Sequence, residues 1–377
     1  MVKYSPDLKR YTMREHTQIR LLFAGLLCAL NLASYPLDAY SETAQGSTNP
    51  ADRLAGADNA PLRTVPFLTL RNKTGSDSAA DYFGGERGSL TAGYCELERT
   101  PLNSLKPIAE KAPFYIPDEI VGLDGITELS IEDLWLLLDS GSRDQLPVLY
   151  THGFYISFER GCRRALILKE SLGLEGRFVL FSWPSAGSML DYTQDEADLY
   201  WSVAPLRGVL TEMVDRFGAG NSNIVAHSLG TRGVMLALVL MAQAQQEEPL
   251  FNQVVLIAPD IDVGIFEQYL PMIRPLASNI TVYVSSKDSP LALSRQVHGH
   301  PRLGEAGDHL DGLEGIEIID LSEIPVRVPS GHVYHLYQSI VTEDLDQLIN
   351  RNRPAAQRSN LKHVGGNQWR LQQAETE

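Results

Sequence analysis

The chain has 377 residues, 44% hydrophobic and 21% charged, a balance typical of a soluble globular protein and enough for one large α/β domain with appendages. Lys and Arg number 32 against 47 Asp and Glu, a formal charge of -15 that excludes the basic stripe of a nucleic-acid surface. No Cys/His cluster has zinc spacing and no Gly-rich loop cradles phosphate, so neither metal nor cofactor is expected.

Residues 1–39 combine a basic segment (Lys3, Lys9, Arg10, Arg14, Arg20) with the apolar run Leu21–Ala33 and small residues beyond it. This pattern reads as a secretory signal, with Met13 as a second candidate start. The run is shorter than the about 20 residues of a membrane span, so an N-terminal anchor is the weaker alternative. The expectation is an exported protein, periplasmic or membrane-anchored facing the periplasm, its N-terminal segment the one membrane contact. With the leader and its Cys28 removed, Cys95 and Cys162 remain, either as a disulfide or as two buried thiols.

Residues 40–63 are rich in Ser, Thr, Asn, Gly and Ala and read as a flexible linker. A domain over 64–353 follows. It opens with the strand-like runs Phe67–Leu70 and Leu90–Tyr94 and a helix capped by Ser130, with Leu134, Leu137 and Leu138 on one face. From Pro147 on, apolar runs alternate with helical patterns. The runs are Val148–Tyr150, Phe178–Phe181, Ile224–Ala226, Val254–Ile257, Ile280–Val284 and Ile316–Ile319. That alternation predicts an α/β fold, a mostly parallel central sheet with helices on both faces. Residues 354–377 lack apolar periodicity and are expected to be a disordered tail.

Ala226-His227-Ser228-Leu229-Gly230 lies where a buried strand hands over to a helix. A nucleophile elbow needs small neighbours there, because its serine occupies a strained backbone conformation. Ser228 is therefore the candidate nucleophile, with the Leu229 N–H as one oxyanion donor. The competing reading is an ordinary helix N-cap. A serine needs a base, and in this fold the order is Ser, acid, His. His332 follows the last apolar run, just before the final helix, and is the chosen base; His335 is the alternative. Asp288 ends the next-to-last such strand and is the chosen acid. Asp260 is the alternative acid, with Asp262 beside it. His152-Gly153-Phe154 ends the early strand and offers the Phe154 N–H as second oxyanion donor. His152 is expected to line the pocket, and Trp183 either to form its wall or to belong to the core.

Several stretches together resemble the bacterial α/β-hydrolases of esterase/lipase type catalogued as domain of unknown function 900. These are Thr151–Phe154 with Ser157–Glu159, Phe181–Gly187, Ile224–Gly230, Ala258–Asp262, Ser285–Asp288, His298–Gly304 and Gly331-His332. Gly93-Tyr94-Cys95 resembles the family's N-terminal strand region. Tyr155 and Thr231 stand where Asn is common. The resemblance implies an α/β-hydrolase fold with Ser228 as nucleophile, Asp288 as acid and His332 as base. Residues and resemblance together lead to a carboxylic-ester hydrolase that works through an acyl-enzyme on a small ester. The alternatives are another acyl substrate for the same triad (lipid, thioester, amide or acyl transfer), or a non-catalytic binding module on the same fold.

Overall fold

The computed structural model describes residues 63–99, 121–141, 143–174, 177–187, 191–242, 248–325 and 331–372. The leader and all but the last residue of the expected linker lie outside them. The elements in chain order are β1 (Arg63–Lys73), β2 (Phe83–Arg99), β3 (Val121–Leu129), α1 (Ile131–Ser140), β4 (Val148–Thr151), α2 (Phe158–Ser171), β5 (Phe178–Ser182) and α3 (Tyr192–Phe217). They continue with β6 (Asn223–His227), α4 (Leu229–Met241), β7 (Phe251–Ile257), α5 (Val263–Ile273), β8 (Ala277–Val284), α6 (Ser289–His298) and β9 (Glu317–Asp320). The last are α7 (Tyr334–Tyr337), α8 (Ser339–Ile349), β10 (Leu361–Gly365) and β11 (Gln368–Leu371).

The strands form one sheet in the order β10-β11-β9-β8-β7-β6-β4-β5-β1-β2-β3. β1, β4 to β9 and β11 run parallel to their neighbours among themselves. β2 and β3 at one end and β10 at the other pair antiparallel. This is the α/β-hydrolase architecture. The strands read as continuous apolar runs because both sheet faces are covered. In β6, Ile224 and Ala226 enter the core on one side and Val225 the core on the other, as the two-residue period requires. Helices α3, α4 and α5 line the first core; α2 and α8 line the second. From β4 the chain runs to β5 on one side and later to β6 on the other. The strand order therefore reverses between β4 and β6, where doubly wound sheets open a crevice at the strand C-termini. His152-Gly153 and Ser228 follow those two strands directly.

Ser130 caps α1 as the sequence predicts, its Oγ accepting from the Asp133 N–H at 3.0 Å. Of the two alternatives for Cys95 and Cys162, the structure contains the disulfide, which ties β2 to α2 across a Cα separation of 6.2 Å.

Two expectations need correction. The stretch read as a disordered tail holds β10 and β11, with β11 parallel to β9 through Gln368↔Ile318 and Arg370↔Asp320. Its apolar content is low, so periodicity misses it. Backbone ladder bonds hold it instead, with fully buried Leu371 and an Arg358 guanidinium paired to Asp344 at 2.7 Å and Glu317 at 2.8 Å. Gly366-Asn367 makes the hairpin turn, a signal the sequence does carry. The second concerns the expectation of an exported, periplasmic or membrane-anchored protein. Among the described residues, no helix is long and apolar enough to cross a membrane. The 26-residue α3 has the length but carries Asp195, Glu196, Asp198, Arg207, Glu212, Asp215 and Arg216.

Candidate active site

β6 ends at His227 and α4 begins at Leu229, so Ser228 alone makes the turn, at φ 53° and ψ −127°. A positive φ costs a side-chain-bearing residue about 1–3 kcal/mol and persists only where surrounding bonds impose it. Here the Ser228 N–H donates to the Ile257 carbonyl at 2.9 Å. The Ser228 carbonyl accepts from the N–H groups of Thr231 (3.1 Å) and Asp260 (3.3 Å) and from Thr231 Oγ1 at 2.6 Å. Two glycines make room. A Cβ on Gly153 would lie 2.6 Å from Ser228 Cβ, and one on Gly230 would lie 2.2 Å from the His152 carbonyl oxygen. Ala226, at the position where the motif usually has glycine, is fully buried in the core instead.

Ser228 Oγ lies 2.8 Å from His332 Nε2, and His332 Nδ1 lies 2.7 Å from Asp288 Oδ2. The consistent tautomer has Nδ1–H donating to the carboxylate and Nε2 accepting from the hydroxyl. Asp288 is the N-cap of α6, its Oδ1 accepting from the Leu291 N–H at 3.1 Å. One oxygen is thereby fixed to the helix and the other aims at the imidazole. The structure thus brings together Ser228, His332 and Asp288 from three separate segments.

The alternatives fall elsewhere. Asp260 follows β7, and its carboxylate is taken up by groups other than His332. Its Oδ1 accepts from Arg302 Nε at 2.7 Å and Ser294 Oγ at 2.6 Å, and its Oδ2 from the Tyr192 hydroxyl at 2.6 Å. Burial pushes its carboxyl up, but Arg302 and Arg232 outweigh that and hold it below its ordinary value. Asp262 caps α5 through the Ile265 N–H. His335 is fully buried in α7, 4.5 Å ring to ring from His227, and neither of its ring nitrogens has a hydrogen-bond partner.

Of the two readings of Trp183 the structure has the core one, and the expectation that His152 lines a pocket is corrected, because both are fully buried. Trp183 Nε1–H donates to the His152 carbonyl at 2.9 Å, and the His152 ring bonds the Gly153 carbonyl and Ser182 Oγ. They support the loop from below. Phe154 is half-buried, its ring 5.0 Å from that of Tyr192. Leu229 opens α4, where the first N–H groups have no carbonyl four residues back to bond.

Sequence reading missed two supports of the loop after β4. Arg71 of β1 is almost wholly buried and spreads its guanidinium over the carbonyls of Ile156 (2.6 Å), Ser185 (2.8 Å) and Gly84 (3.1 Å), and over Ser182 Oγ (2.9 Å). Burial pulls it down to about 9, with Asp195 opposing. Asp195 in the first turn of α3 accepts from Ser185 Oγ and from the N–H groups of Ala186 and Tyr155. These contacts join residues from 9 to 114 positions apart, across separate elements, and no local pattern announces them. Among the described residues, no group of three or more His, Cys, Asp or Glu side chains is arranged to hold a metal ion.

Residues 133–353 match the family model described as alpha/beta hydrolase of unknown function (DUF900), the group the motifs resemble. A search of curated proteins found no match. Among solved structures, the chain is similar to a predicted CIB-like hydrolase from Thermoplasma acidophilum (14% identity, TM-score 0.34, 56% of this chain and 87% of that one). It is also similar to an esterase from Pyrobaculum calidifontis (13%, 0.33, 93% and 99%). A third is carboxyl esterase 2 from the mycorrhizal fungus Tuber melanosporum (12%, 0.32, 78% and 88%). Similarity this low bears on neither reaction nor substrate.

Proposed function

The chain belongs to the DUF900 family of α/β hydrolases of unknown function, and on that premise we propose that it is a serine hydrolase acting on small carboxylic esters through an acyl-enzyme. The observation that carries this reading is the unbroken series Ser228 Oγ–His332 Nε2–Asp288, at 2.8 and 2.7 Å, with its serine on a strained turn at the sheet edge.

In this mechanism Ser228 Oγ attacks the ester carbonyl carbon as His332 Nε2 takes its proton. Asp288 holds the imidazole in the accepting tautomer and stabilises the imidazolium. The Phe154 and Leu229 N–H groups receive the oxyanion, on donors already placed before charge develops. Collapse of the tetrahedral intermediate breaks the bond to the alcohol oxygen, which takes the proton from His332. Water, deprotonated by the same imidazole, then attacks the acyl carbon; the bond to Ser228 Oγ breaks, the serine recovers the proton from His332, and the acid leaves. Arg71 and Asp195 hold the loop that carries the Phe154 N–H.

A fluorophosphonate probe tests this. Wild-type protein should be labelled at Ser228 and should hydrolyse short-chain nitrophenyl esters, with both activities lost in Ser228→Ala and His332→Ala. Folded wild-type protein that resists the probe and turns over no ester would refute the reading, in favour of a binding module on this fold.

A further inference from the structure

His227 precedes the proposed nucleophile, is almost fully buried, and has no part in the chemistry above. Its Nε2–H donates to the main-chain carbonyl of His332 at 3.1 Å, and the two rings lie 4.7 Å apart. Among the described residues, this is the one hydrogen bond to the main chain of His332. The other anchors of this segment act beyond His332: Tyr334 and Leu336 are buried, and the Tyr334 hydroxyl donates to the Tyr283 carbonyl at 3.3 Å, while Gly331 just before His332 sits at φ 63°. The His227 ring also packs against the His335 ring at 4.5 Å.

We propose that His227 is a positioning residue for the base. By holding the His332 carbonyl, it sets the distance from His332 Nε2 to Ser228 Oγ; this rests on the serine-hydrolase reading. Because His227 is on the elbow itself, nucleophile and base are registered to each other by one side chain rather than through the sheet. Burial keeps the His227 imidazole well below its ordinary range, with His335 and His332 adding to the effect. It therefore stays a neutral donor, and no second cation sits beside the imidazolium that forms on His332.

The test compares His227→Phe, which keeps a ring but has no donor, with His227→Gln, which keeps an N–H of similar reach. If His227→Phe does not fold, His227→Met serves as the donorless variant. Two measurements are made on each full-length protein: steady-state kinetics on a short nitrophenyl ester, and hydrogen exchange of the peptide spanning residues 331–337. The donorless variant should lose about 10- to 100-fold in kcat with KM within about twofold, as expected when a reacting group shifts by a fraction of an ångström to an ångström. Its 331–337 amides should exchange faster, and His227→Gln should restore most of both. Unchanged kcat and exchange in a folded donorless variant would overturn the proposal, as would a loss confined to KM. A wild type silent toward esters and fluorophosphonate would sink the hydrolase reading and the role in turnover together. The exchange comparison would still decide whether His227 tethers the loop.

Discussion

Replacing Gly153 with alanine probes the close approach between the loop after β4 and the elbow. The new Cβ would stand 2.6 Å from Ser228 Cβ and 3.1 Å from His227 Nδ1, against an ordinary contact that begins near 3.4 Å. Ser228 is pinned by four hydrogen bonds and cannot yield, so the loop must retreat by close to an ångström. That movement carries the Phe154 N–H away from the oxyanion. A displacement of this size costs about 100-fold in rate. Overpacking a buried site adds about 1–3 kcal/mol of destabilisation, which lowers Tm by a few degrees in a domain of this size. The assay pairs kcat and KM on a nitrophenyl ester with a thermal melt: kcat should fall by about two orders of magnitude with KM little changed. A Gly153→Ala protein with wild-type kcat would show that Phe154 is not an oxyanion donor, or that the loop has slack the packing does not suggest.

Asp288→Asn should lower kcat by about 10⁴ with a small change in stability, since an amide opposite Nδ1 favours the wrong tautomer. Asp260→Asn should instead cost about 3–5 kcal/mol in a denaturant titration, because it leaves Arg302 and Arg232 buried beside a neutral group; the reverse pattern would mean the two aspartates exchange roles. Reducing the Cys95–Cys162 bridge, which closes 67 residues, should remove up to about 4 kcal/mol by chain entropy, read as a lower urea midpoint. An unchanged midpoint would mean the bridge is absent or carries no load. Burial holds His152, His227 and His335 well below their ordinary value of 6.5, so the unfolded chain binds protons that the folded one refuses. Their contribution to stability is complete above pH 6.5. It declines as pH falls below that value, by up to about 1.4 kcal/mol per pH unit for each histidine. Unfolding free energies from pH 8 to 5 should show this slope, and His335→Phe should flatten it by one histidine's share. A pH-independent stability over that range would refute it.

The strand–Ser228–helix turn was legible in the sequence because it is local: a buried strand, one serine and a helix within seven residues leave few backbone solutions. The parallel sheet was legible for a similar reason, since strands covered on both faces must be apolar throughout. His332 and Asp288 were reached through chain order and family resemblance, which rank candidates without placing them. The resemblance favoured Asp288 over Asp260, and the tertiary structure supplies the physical reason, since both follow consecutive strands. Asp260 is claimed by Arg302, Ser294 and Tyr192, from three segments that converge on it only after folding. The Arg71 clamp, the docking of β11 on β9 and the tether from His227 to His332 were invisible for the same reason. Hydrophobic period records which face of an element is buried. It does not record which buried polar groups meet, because those pairings join positions tens to hundreds of residues apart. The sequence by itself determined the layers and the position of Ser228; only the packed chain decided which carboxylate and which imidazole reach it.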